Sequence, residues 1–463
     1  MGEAAKISLK AIGKQDTHLL SKDPEDSFFN YKNDKIHSDF RKYHRSRNIV
    51  NPGQTPNWPF GQTIKVQFNP QNMGDLLSNM WLSITMPRLT DFGDGKNYAD
   101  QLGRHILKSV TMVVDELEVE TIHDDWGILY DELYLEMSEK VANRFLINRN
   151  IGYDDSTLAT GHETTGYDDG PKFKELSQYS ADLMIPLHFF FSRKYASDEY
   201  SSNKPNRPYF PVCAVHRQKI EFELEFHQKT FFTDTSDTIS LPEFKLITEE
   251  ITVTPEERQY LASKRQTFTT DIVRKHPSII STPNDDLIRN NLVPNIPVKC
   301  IHWFLRNTAF ENEDEPTGGQ ALQERRSYQN RFNFSSNVNF DEVQTFFNPI
   351  MDETSFYING NRLPNVSKTN HNYYKYLIPY RNRLARPIRN IYTYSFSMNP
   401  INVEPSGNLD FSQIKSDKTS IEVKLDTSET SLVNIVSNTY SLNMYYTGYQ
   451  TYIFDRGFMS LAY

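Results

Sequence analysis

The sequence predicts an all-β protein made of two similar domains in tandem. Apolar and polar residues alternate in several short runs, such as residues 220–226, where Ile, Phe, Leu and Phe are separated by three Glu residues. This alternation indicates strands with one buried and one wet face. Turn residues separate neighbouring runs: Asp115-Glu116 and Asn359-Gly360 each lie between two apolar stretches and predict hairpins. The order of these elements recurs in the two halves of the chain.

The repeated order is a hairpin, an aromatic strand, an alternating strand and a last strand. The predicted elements span residues 112–121, 187–192, 220–226 and 244–253 in the first half, and residues 355–363, 392–398, 421–425 and 441–448 in the second half. Such a repeat predicts a duplicated β domain with its boundary after Thr254.

Two stretches predict helices among the strands. Apolar residues of the first stretch recur every three or four positions: Trp126, Leu129, Tyr130, Leu133, Met137 and Val141. This spacing predicts one amphipathic helix lying on a sheet. In the second stretch Pro255 and Glu257 follow Thr254, which predicts a helix capped by Thr254 that runs to about Lys264.

These elements define the predicted domains. We expect an N-terminal arm at residues 1–25, a first β domain at 26–254, a linker helix at 255–264 and a second β domain at 265–463. One hydrophobic core rarely serves 463 residues, and by length alone two large β domains fit as well as three average ones.

The charge balance argues against a protein that packages nucleic acid. The chain has 50 Lys and Arg against 59 Asp and Glu, a net charge of -9, and such a surface repels phosphate. We therefore expect no direct contact with a genome.

One segment is locally basic: Arg41, Lys42, His44, Arg45 and Arg47 lie close together in the sequence. Two interpretations remain open. The cluster contacts acidic lipid headgroups or an acidic partner, or it belongs to a solvated loop before the first core strand.

Cysteine usage and hydropathy indicate a protein made in a reducing compartment. Cys213 and Cys300 are the only cysteines, too few for a disulfide framework, and we expect both to be buried thiols. The first sixteen residues lack an apolar segment, and the apolar run at 183–191 is too short to cross a bilayer. We expect neither a signal peptide nor a transmembrane helix.

Several stretches resemble the major capsid proteins of the nucleocytoplasmic large DNA viruses, a group that includes phycodnaviruses and iridoviruses. The clearest are residues 394–400 (YSFSMNP) and 404–412 (EPSGNLDFS), which depart from the family signature at Glu404 and Asp410. Others occur in the same order: Phe28-Phe29, the basic segment to Arg47, Asp124-Asp125-Trp126, residues 185–193 (IPLHFFFSR), Glu256-Glu257-Arg258 and residues 457–463 (GFMSLAY). The resemblance spans nearly the whole chain.

The resemblance implies two eight-stranded jelly rolls side by side in each chain. It also implies a homotrimer that tiles an icosahedral shell over an internal membrane, with minor capsid or cement proteins as further partners. The expected location is the virion, assembled in the host cytoplasm. The basic N-terminal region is a candidate contact with the internal membrane. The expected role is structural, and we predict no catalytic residues, no metal ligands and no cofactor.

A two-domain, cupin-like metal enzyme is the first alternative, because jelly rolls also house metal sites. Two His-x-Asp pairs occur, His37-Ser38-Asp39 and His123-Asp124-Asp125, but chance gives as many in a chain with 12 His and 59 acidic residues. His162-Glu163 is followed by Gly166 where a zincin motif requires a second His. Asp91-Phe92-Gly93 lacks the upstream elements of a kinase.

A receptor-binding or carbohydrate-binding jelly roll is the second alternative. Such a protein is expected to have one module and a tail, whereas this chain has two modules of similar length.

Two kinds of segment are candidates for assembly surfaces. The polar insertions 150–175 and 311–326 are expected to be exposed. The resemblance implies that one or both of them form the outward-facing top of the capsomer. Aromatic residues at 189–191, Tyr445-Tyr446 and Phe458 offer surface for a trimer interface, although each of them could instead fill a domain core.

Overall fold

The architecture is read from a computed structural model. It describes residues 40–90, 98–99, 101–147, 151–153, 173–175, 180–193, 209–233, 235–311, 331–336, 348–365, 369–401, 405–411, 414, 416–428 and 431–462.

Strands dominate these residues. Those of the first half are β1 (Phe40–Val50), β2 (Thr63–Phe68), β3 (Leu76–Met86), β4 (Leu107–Val114), β5 (Leu117–His123), β6 (Ile151–Tyr153), β7 (Phe173–Glu175), β8 (Ala181–Pro186), β9 (Ile220–Phe226) and β10 (Glu243–Val253). Those of the second half are β11 (Gln266–Ile280), β12 (Leu287–Asn291), β13 (Pro297–Asn307), β14 (Met351–Ile358), β15 (Asn361–Leu363), β16 (Tyr392–Ser395), β17 (Leu409–Asp410), β18 (Ser420–Leu425), β19 (Tyr440–Asp455) and β20 (Phe458–Leu461).

The helices are short. They are α1 (Leu102–Ile106), α2 (Asp124–Leu133), α3 (Met137–Ile147), α4 (Pro255–Ser263) and α5 (Ile378–Arg381). Single 3-10 turns lie at Pro70–Asn72, Val212–Val215, Lys229–Phe231, Thr308–Phe310 and Ser416–Lys418, and a π-helical turn at Tyr373–Leu377 precedes α5.

Each half is an eight-stranded sandwich of two antiparallel sheets. In the first half the sheets have the strand orders β1-β10-β3-β8 and β2-β9-β4-β5. In the second half the orders are β11-β19-β13-β16 and β12-β18-β14-β15, with β17 and β20 added at the ends of β13 and β19. The two halves have the same strand order when β6, β7, β17 and β20 are left out and the remaining eight strands of each half are numbered along the chain. This is the jelly-roll arrangement, so the predicted fold of two tandem jelly rolls is confirmed.

Aromatic residues fill the space between the paired sheets. Phe226 on β9 lies 5.5 Å from Phe244 on β10 in the first sandwich, measured between ring centroids. Trp303 on β13 lies 5.3 Å from Phe356 on β14 in the second. These edge and tilted contacts join one sheet to the other in each core.

The two sandwiches lie side by side and point the same way. At one end Asp125, two residues after β5, contacts Arg306 near the end of β13. At the other end the backbone N–H of Arg217, just before β9, donates to the carbonyl oxygen of Gly457 after β19 at 3.3 Å. Strands β5 and β13 therefore both end on the side of the molecule that holds Asp125 and Arg306.

Local sequence patterns account for most of the strands. The alternating run at 220–226 forms β9 with alternate residues buried. Asp115, with φ 54°, turns the β4–β5 hairpin, and Asn359 and Gly360 turn the β14–β15 hairpin with φ 52° and 83°. Positive φ at both central residues is the type I′ geometry that Asn-Gly favours.

The predicted aromatic strand at 187–192 is wrong. Strand β8 ends at Pro186, and the chain then turns, with the N–H groups of Ser192 and Arg193 both donating to the carbonyl of Phe189. Phe189, Phe190 and Phe191 are all buried. Three consecutive buried side chains do not fit a strand, whose side chains alternate between two faces. In the second half the matching strand β16 ends at Ser395, and the last strand β19 continues to Asp455.

The single predicted helix over 126–141 is two helices, α2 and α3. The chain leaves the helical path after Tyr134, and the Glu139 carboxylate accepts a hydrogen bond from the N–H of Glu136 at 3.0 Å. This is the reach-back contact of a capping box, and it starts a new helix at Met137. Met137 and Val141 are therefore exposed, whereas Trp126 and Leu133 are buried.

Two predictions concern the ends of the first sandwich. A helix is present at Pro255–Ser263, with Thr254 at the N-cap position, but the Thr254 side chain makes no capping hydrogen bond. The basic segment forms the edge strand β1, paired with β10 along its whole length, so the interpretation as a solvated loop is wrong.

No helix in the described part of the chain has the length and hydropathy needed to cross a bilayer.

We predict that Gly448→Ala destabilises the second sandwich. A β-bulge at Lys299 brings β13 over Gly448, where an added Cβ would overlap the carbonyl oxygen of Pro297 and lie 2.8 Å from the Ile296 side chain. Overpacking of this kind costs about 1–3 kcal/mol. Gly53→Ala is the control, because its Cβ would meet only the Thr55 hydroxyl at 3.5 Å. Chemical denaturation of both variants tests this, and equal unfolding free energies would contradict it.

Candidate functional site

The most distinctive feature of the molecule is the seam between its two halves. Helix α2 of the first half packs against the second half, with the Trp126 ring 5.8 Å from Tyr445 and 5.9 Å from His302. Phe304, Tyr452 and Phe454 of the second half belong to the same apolar cluster as the first core. The two halves therefore share a continuous buried surface.

Two adjacent carboxylates at the start of α2 cross this seam. Asp125 pairs with Arg306, and the Lys275 ammonium lies 3.6 Å from its second oxygen. The side chains of Asp125 and Arg306 are 0% and 1% exposed. Asp124 contacts Arg331 at 3.0 Å and His227 at 3.1 Å. Burial alone would raise the pKa of Asp124, but Arg331 and His227 outweigh burial and hold it well below its usual range.

A third buried carboxylate, Glu120 on β5, organises the aromatic turn. One of its oxygens accepts from the Phe190 N–H at 2.9 Å. The other accepts from the Val273 N–H on β11 at 2.8 Å and pairs with Arg193. Glu120 therefore ties the turn after β8 to the first strand of the second half. The Phe-rich segment is held by this carboxylate and not by a sheet.

A fourth carboxylate, Glu132, holds the far end of α2. It pairs with Arg389 at 2.5 Å and accepts from the Ile388 N–H at 2.7 Å. The carbonyl of Leu133 accepts from the Ala385 N–H at 2.7 Å. Helix α2 is thus bound to the second half at both of its ends.

A neutral histidine completes the seam. Burial, and then the charge of Lys299, lower the pKa of His302 to about 3. Its ring exchanges hydrogen bonds with the hydroxyls of Tyr134 at 3.1 Å and Thr393 at 2.9 Å. An uncharged ring is satisfied by two hydroxyls, so this polar contact adds no unpaired charge to the interior.

The basic segment on β1 is largely neutralised within the chain. Lys42 and His44 both contact Glu249 at 3.2 Å, and Arg45 lies 3.4 Å from Glu250. Burial would raise the pKa of Glu249, but hydrogen bonds from Ser78, Lys42, Asn79 and His44 outweigh it and lower the pKa to about 2. Most of this positive charge therefore holds β1 on its sheet.

The aromatic candidates for an interface divide into two groups. Phe189 to Phe191, Tyr445 and Tyr446 are buried inside the single chain. Phe458 is 48% exposed and lies at the C-terminal strand β20. Five of the six residues therefore fill the interior of the chain, and only Phe458 offers exposed surface.

The sequence motifs considered for a metal or catalytic site lie partly in the seam and partly outside the described residues. Among the described residues, no group of three or more His, Cys, Asp or Glu side chains is placed to hold a metal ion. Asp124 and Asp125 of one His-x-Asp pair are engaged by arginines of the seam. His37-Ser38-Asp39, Asp91-Phe92-Gly93 and His162-Glu163 lie outside the described residues. Cys213 and Cys300 are buried thiols, and burial raises the pKa of each to about 12.

The seam cations were not identified from the sequence. Arg306 and Arg331 lie about 180 and 207 residues from their carboxylate partners, and no local pattern distinguishes them from surface arginines. Asp124-Asp125-Trp126 and Arg193 did stand within motifs of the family resemblance, but their pairing was not predicted.

We predict that Asp125→Asn destabilises the chain by about 3–5 kcal/mol, because buried Arg306 loses its closest carboxylate and keeps only the contact with Glu311 at 3.5 Å. Arg306→Met should cost a similar amount, and the double variant should lose less than the sum of the two. The control is Arg289→Met, which removes a pair with Glu422 whose arginine is 65% exposed, and such pairs contribute at most about 1 kcal/mol. Denaturant unfolding measures all four variants. An Asp125→Asn protein as stable as the wild type would refute the role of the seam.

Comparison with known proteins places this fold in a family. A family model described as "Major capsid protein N-terminus" matches residues 41–267, and one described as "Large eukaryotic DNA virus major capsid protein" matches residues 250–457. The two matches overlap and together cover residues 41–457. No curated protein matches the chain by sequence.

Solved structures agree with the family models at the level of the fold. VP54 of the virus PBCV-1 has a TM-score of 0.67 at 16% identity, over 93% of this chain and 98% of that chain. The Faustovirus major capsid protein has a TM-score of 0.59 at 12% identity, over 90% and 91%. A structure of the Sputnik virophage has a TM-score of 0.51 at 9% identity, over 97% and 92%. These likenesses show the fold, and the two family matches show that the chain belongs to the family of major capsid proteins of large eukaryotic DNA viruses.

Proposed function

We propose that this capsid protein forms homotrimeric capsomers that tile an icosahedral shell. The observation that carries the proposal is the seam, which holds two jelly rolls of the same topology side by side in one orientation. Three such chains around a threefold axis would give a ring of six similar sandwiches. A ring of this kind closes on itself and presents six comparable edges to its neighbours.

An exposed apolar stripe on α3 supports contact between copies. Met137, Val141 and Phe145 recur every four residues and are 63%, 52% and 44% exposed. Side chains four apart lie on one face of a helix, and contiguous apolar surface on a soluble protein commonly marks an interface. We assign this stripe to the contact with a second copy of the chain.

The domain boundaries follow from the same proposal. Residues 26–254 and 265–463 would be the two jelly-roll domains, joined by the helix at 255–264 and preceded by an arm at 1–25. Helix α4 has no buried residue, which suits a connector on the surface between two domains.

The proposed role is structural and not enzymatic, with other copies of the chain as the main partners. Minor capsid proteins and the internal membrane are further proposed partners, and the genome is not. Contact of the basic N-terminal region with the membrane would depend on the cations of β1 that Glu249 and Glu250 do not neutralise. Assembly in the host cytoplasm is proposed because the chain has two cysteines, both buried, which are too few for a disulfide framework.

We predict that the purified chain has a mass of about 162 kDa in light scattering, three times its 54.0 kDa. Introducing two charges in Met137→Glu/Val141→Glu should shift the protein toward 54.0 kDa, because a desolvated carboxylate is costly in an interface. Ser138→Glu adds a charge at an exposed position off the stripe and should leave the trimer intact.

A wild-type mass of 54.0 kDa at every concentration, with β-sheet circular dichroism, would contradict the trimer. A stable trimer of the Met137→Glu/Val141→Glu variant would contradict the α3 contact alone.

The insertions 150–175 and 311–326 are proposed to face outward. They belong to the β5–β8 and β13–β14 connections, and β5 and β13 end on the same side of the molecule. We predict that trypsin cuts assembled particles first at Lys172 and at Arg325-Arg326, while Lys299 and Arg306 in the seam stay protected. Mass spectrometry of the fragments identifies the sites. Equal protection of both insertions in intact particles would overturn this orientation.

A further inference from the structure

A basic groove lies at the end of the first sandwich opposite the end that holds Asp125 and Arg306. It has a volume of about 380 Å³, within the range of small-ligand pockets, and Arg47, Phe68, His216, Arg217 and Lys219 are among its lining residues. It lies where the β2–β3 and β8–β9 connections meet the edge strand β1. None of the described residues that line the groove is acidic.

The cations of the groove lack acidic partners within the part of the chain that is described. Arg47, Arg217 and Lys219 form no ion pair with a carboxylate there, in contrast to Lys42, His44 and Arg45 on the same edge of the sandwich. Arg217 and Lys219 are exposed, and Arg47 is half-buried. Uncompensated positive charge is therefore concentrated in one concavity of a chain whose net charge is -9.

Arg47 is held in place by contacts that leave its charge uncompensated. Its guanidinium lies over the Phe68 ring at 4.2 Å, and one of its N–H groups donates to the carbonyl oxygen of Gln67. Burial and the charge of Arg45 lower the pKa of Arg47, opposed in part by Glu250. A stacked guanidinium keeps other N–H groups in its plane for an anion, and an anion there would relieve the crowding of positive charge.

Apolar contacts shape the rest of the groove. Phe68 and Pro70 are buried side chains that form part of its wall, and Arg217 lies over the ring of Phe458 at 5.8 Å. Phe458 belongs to β20, so the second half of the chain supports a cation of the groove. The site depends on the correct docking of both halves.

We propose that this groove binds the phosphate group of a phosphate ester. A phosphate group offers several charged oxygens to donors on different sides. It therefore fits a void surrounded by two guanidinium groups and an ammonium better than a single carboxylate would. The source is either a phospholipid headgroup or a free phosphate compound. The lipid source rests on the proposed outward orientation of the insertions, which would turn the groove toward the shell interior, whereas binding of phosphate itself does not.

The test compares three proteins: the wild type, Arg217→Gln/Lys219→Gln, and the control Lys65→Gln/Lys424→Gln. The control also removes two exposed positive charges, but neither residue lines the groove. Inorganic phosphate is titrated in 0.15 M salt and followed by ³¹P line broadening. Sedimentation with vesicles of phosphatidylcholine, with or without phosphatidic acid, provides the second arm. Circular dichroism and light scattering verify the fold and the oligomeric state of each variant.

Wild type and control should broaden the phosphate signal alike, and the groove variant should bind phosphate about tenfold or more weakly, because each charged hydrogen bond is strong. Additional loss of binding to phosphatidic acid vesicles in the groove variant alone would identify the lipid as the source. Phosphate binding without vesicle binding would identify a free phosphate compound. If all three proteins behaved equally in both arms, the proposal would be wrong. The mass in light scattering tests the trimer independently of this result.

Discussion

The rest of the structure depends on the burial of carboxylates from the first half against cations and N–H groups from the second. A carboxylate removed from water is strongly destabilised unless it is paired and hydrogen-bonded. Asp125 depends on Arg306, Glu132 on Arg389, and Glu120 accepts from Val273. These partners all lie after residue 264. The first half therefore cannot bury these groups favourably by itself, and the two sandwiches form one stable unit.

The linker helix does not hold the two halves in their relative orientation. Helix α4 connects the halves, but it has no buried residue and therefore cannot fix their relative orientation. Orientation is set at both ends of the seam: by Asp125 and Arg306 at one end, and by the contact between Arg217 and Gly457 at the other. An added Cβ at Gly457 would lie 2.7 Å from the His216 ring, so the C-terminal turn fits closely against the first half. A closed ring of six sandwiches, as in the proposed capsomer, would require the two halves of each chain to keep such a fixed orientation.

The sequence predicted the parts of the fold that depend on local alternation and turn chemistry. Strand β9 was predicted because apolar and polar residues alternate along it. The hairpin at Asn359-Gly360 was predicted because Asn-Gly favours the positive φ angles of a tight turn. The turn at Phe189 was misjudged because its hydrogen-bond acceptor, Glu120, is about 70 residues away. Strand β1 was misjudged because its basic side chains are neutralised by Glu249 and Glu250, more than 200 residues later. Long-range charge pairing leaves no local signal, and the seam and the edge strand both depend on it.

The ion pairs divide the cations into those that hold the fold together and those that remain able to bind an external anion. In a chain with more acidic than basic residues, most cations near the two sheets meet a carboxylate: Arg306 and Arg389 in the seam, Lys42 and Arg45 on β1. A cation that already pairs with a buried carboxylate cannot bind an external anion without exposing that carboxylate's unmet charge. Arg217 and Lys219 form no ion pair with a carboxylate among the described residues. Binding an anion there would therefore break no internal pair. The fold can therefore add a ligand at this end without loosening the seam that holds its two halves together.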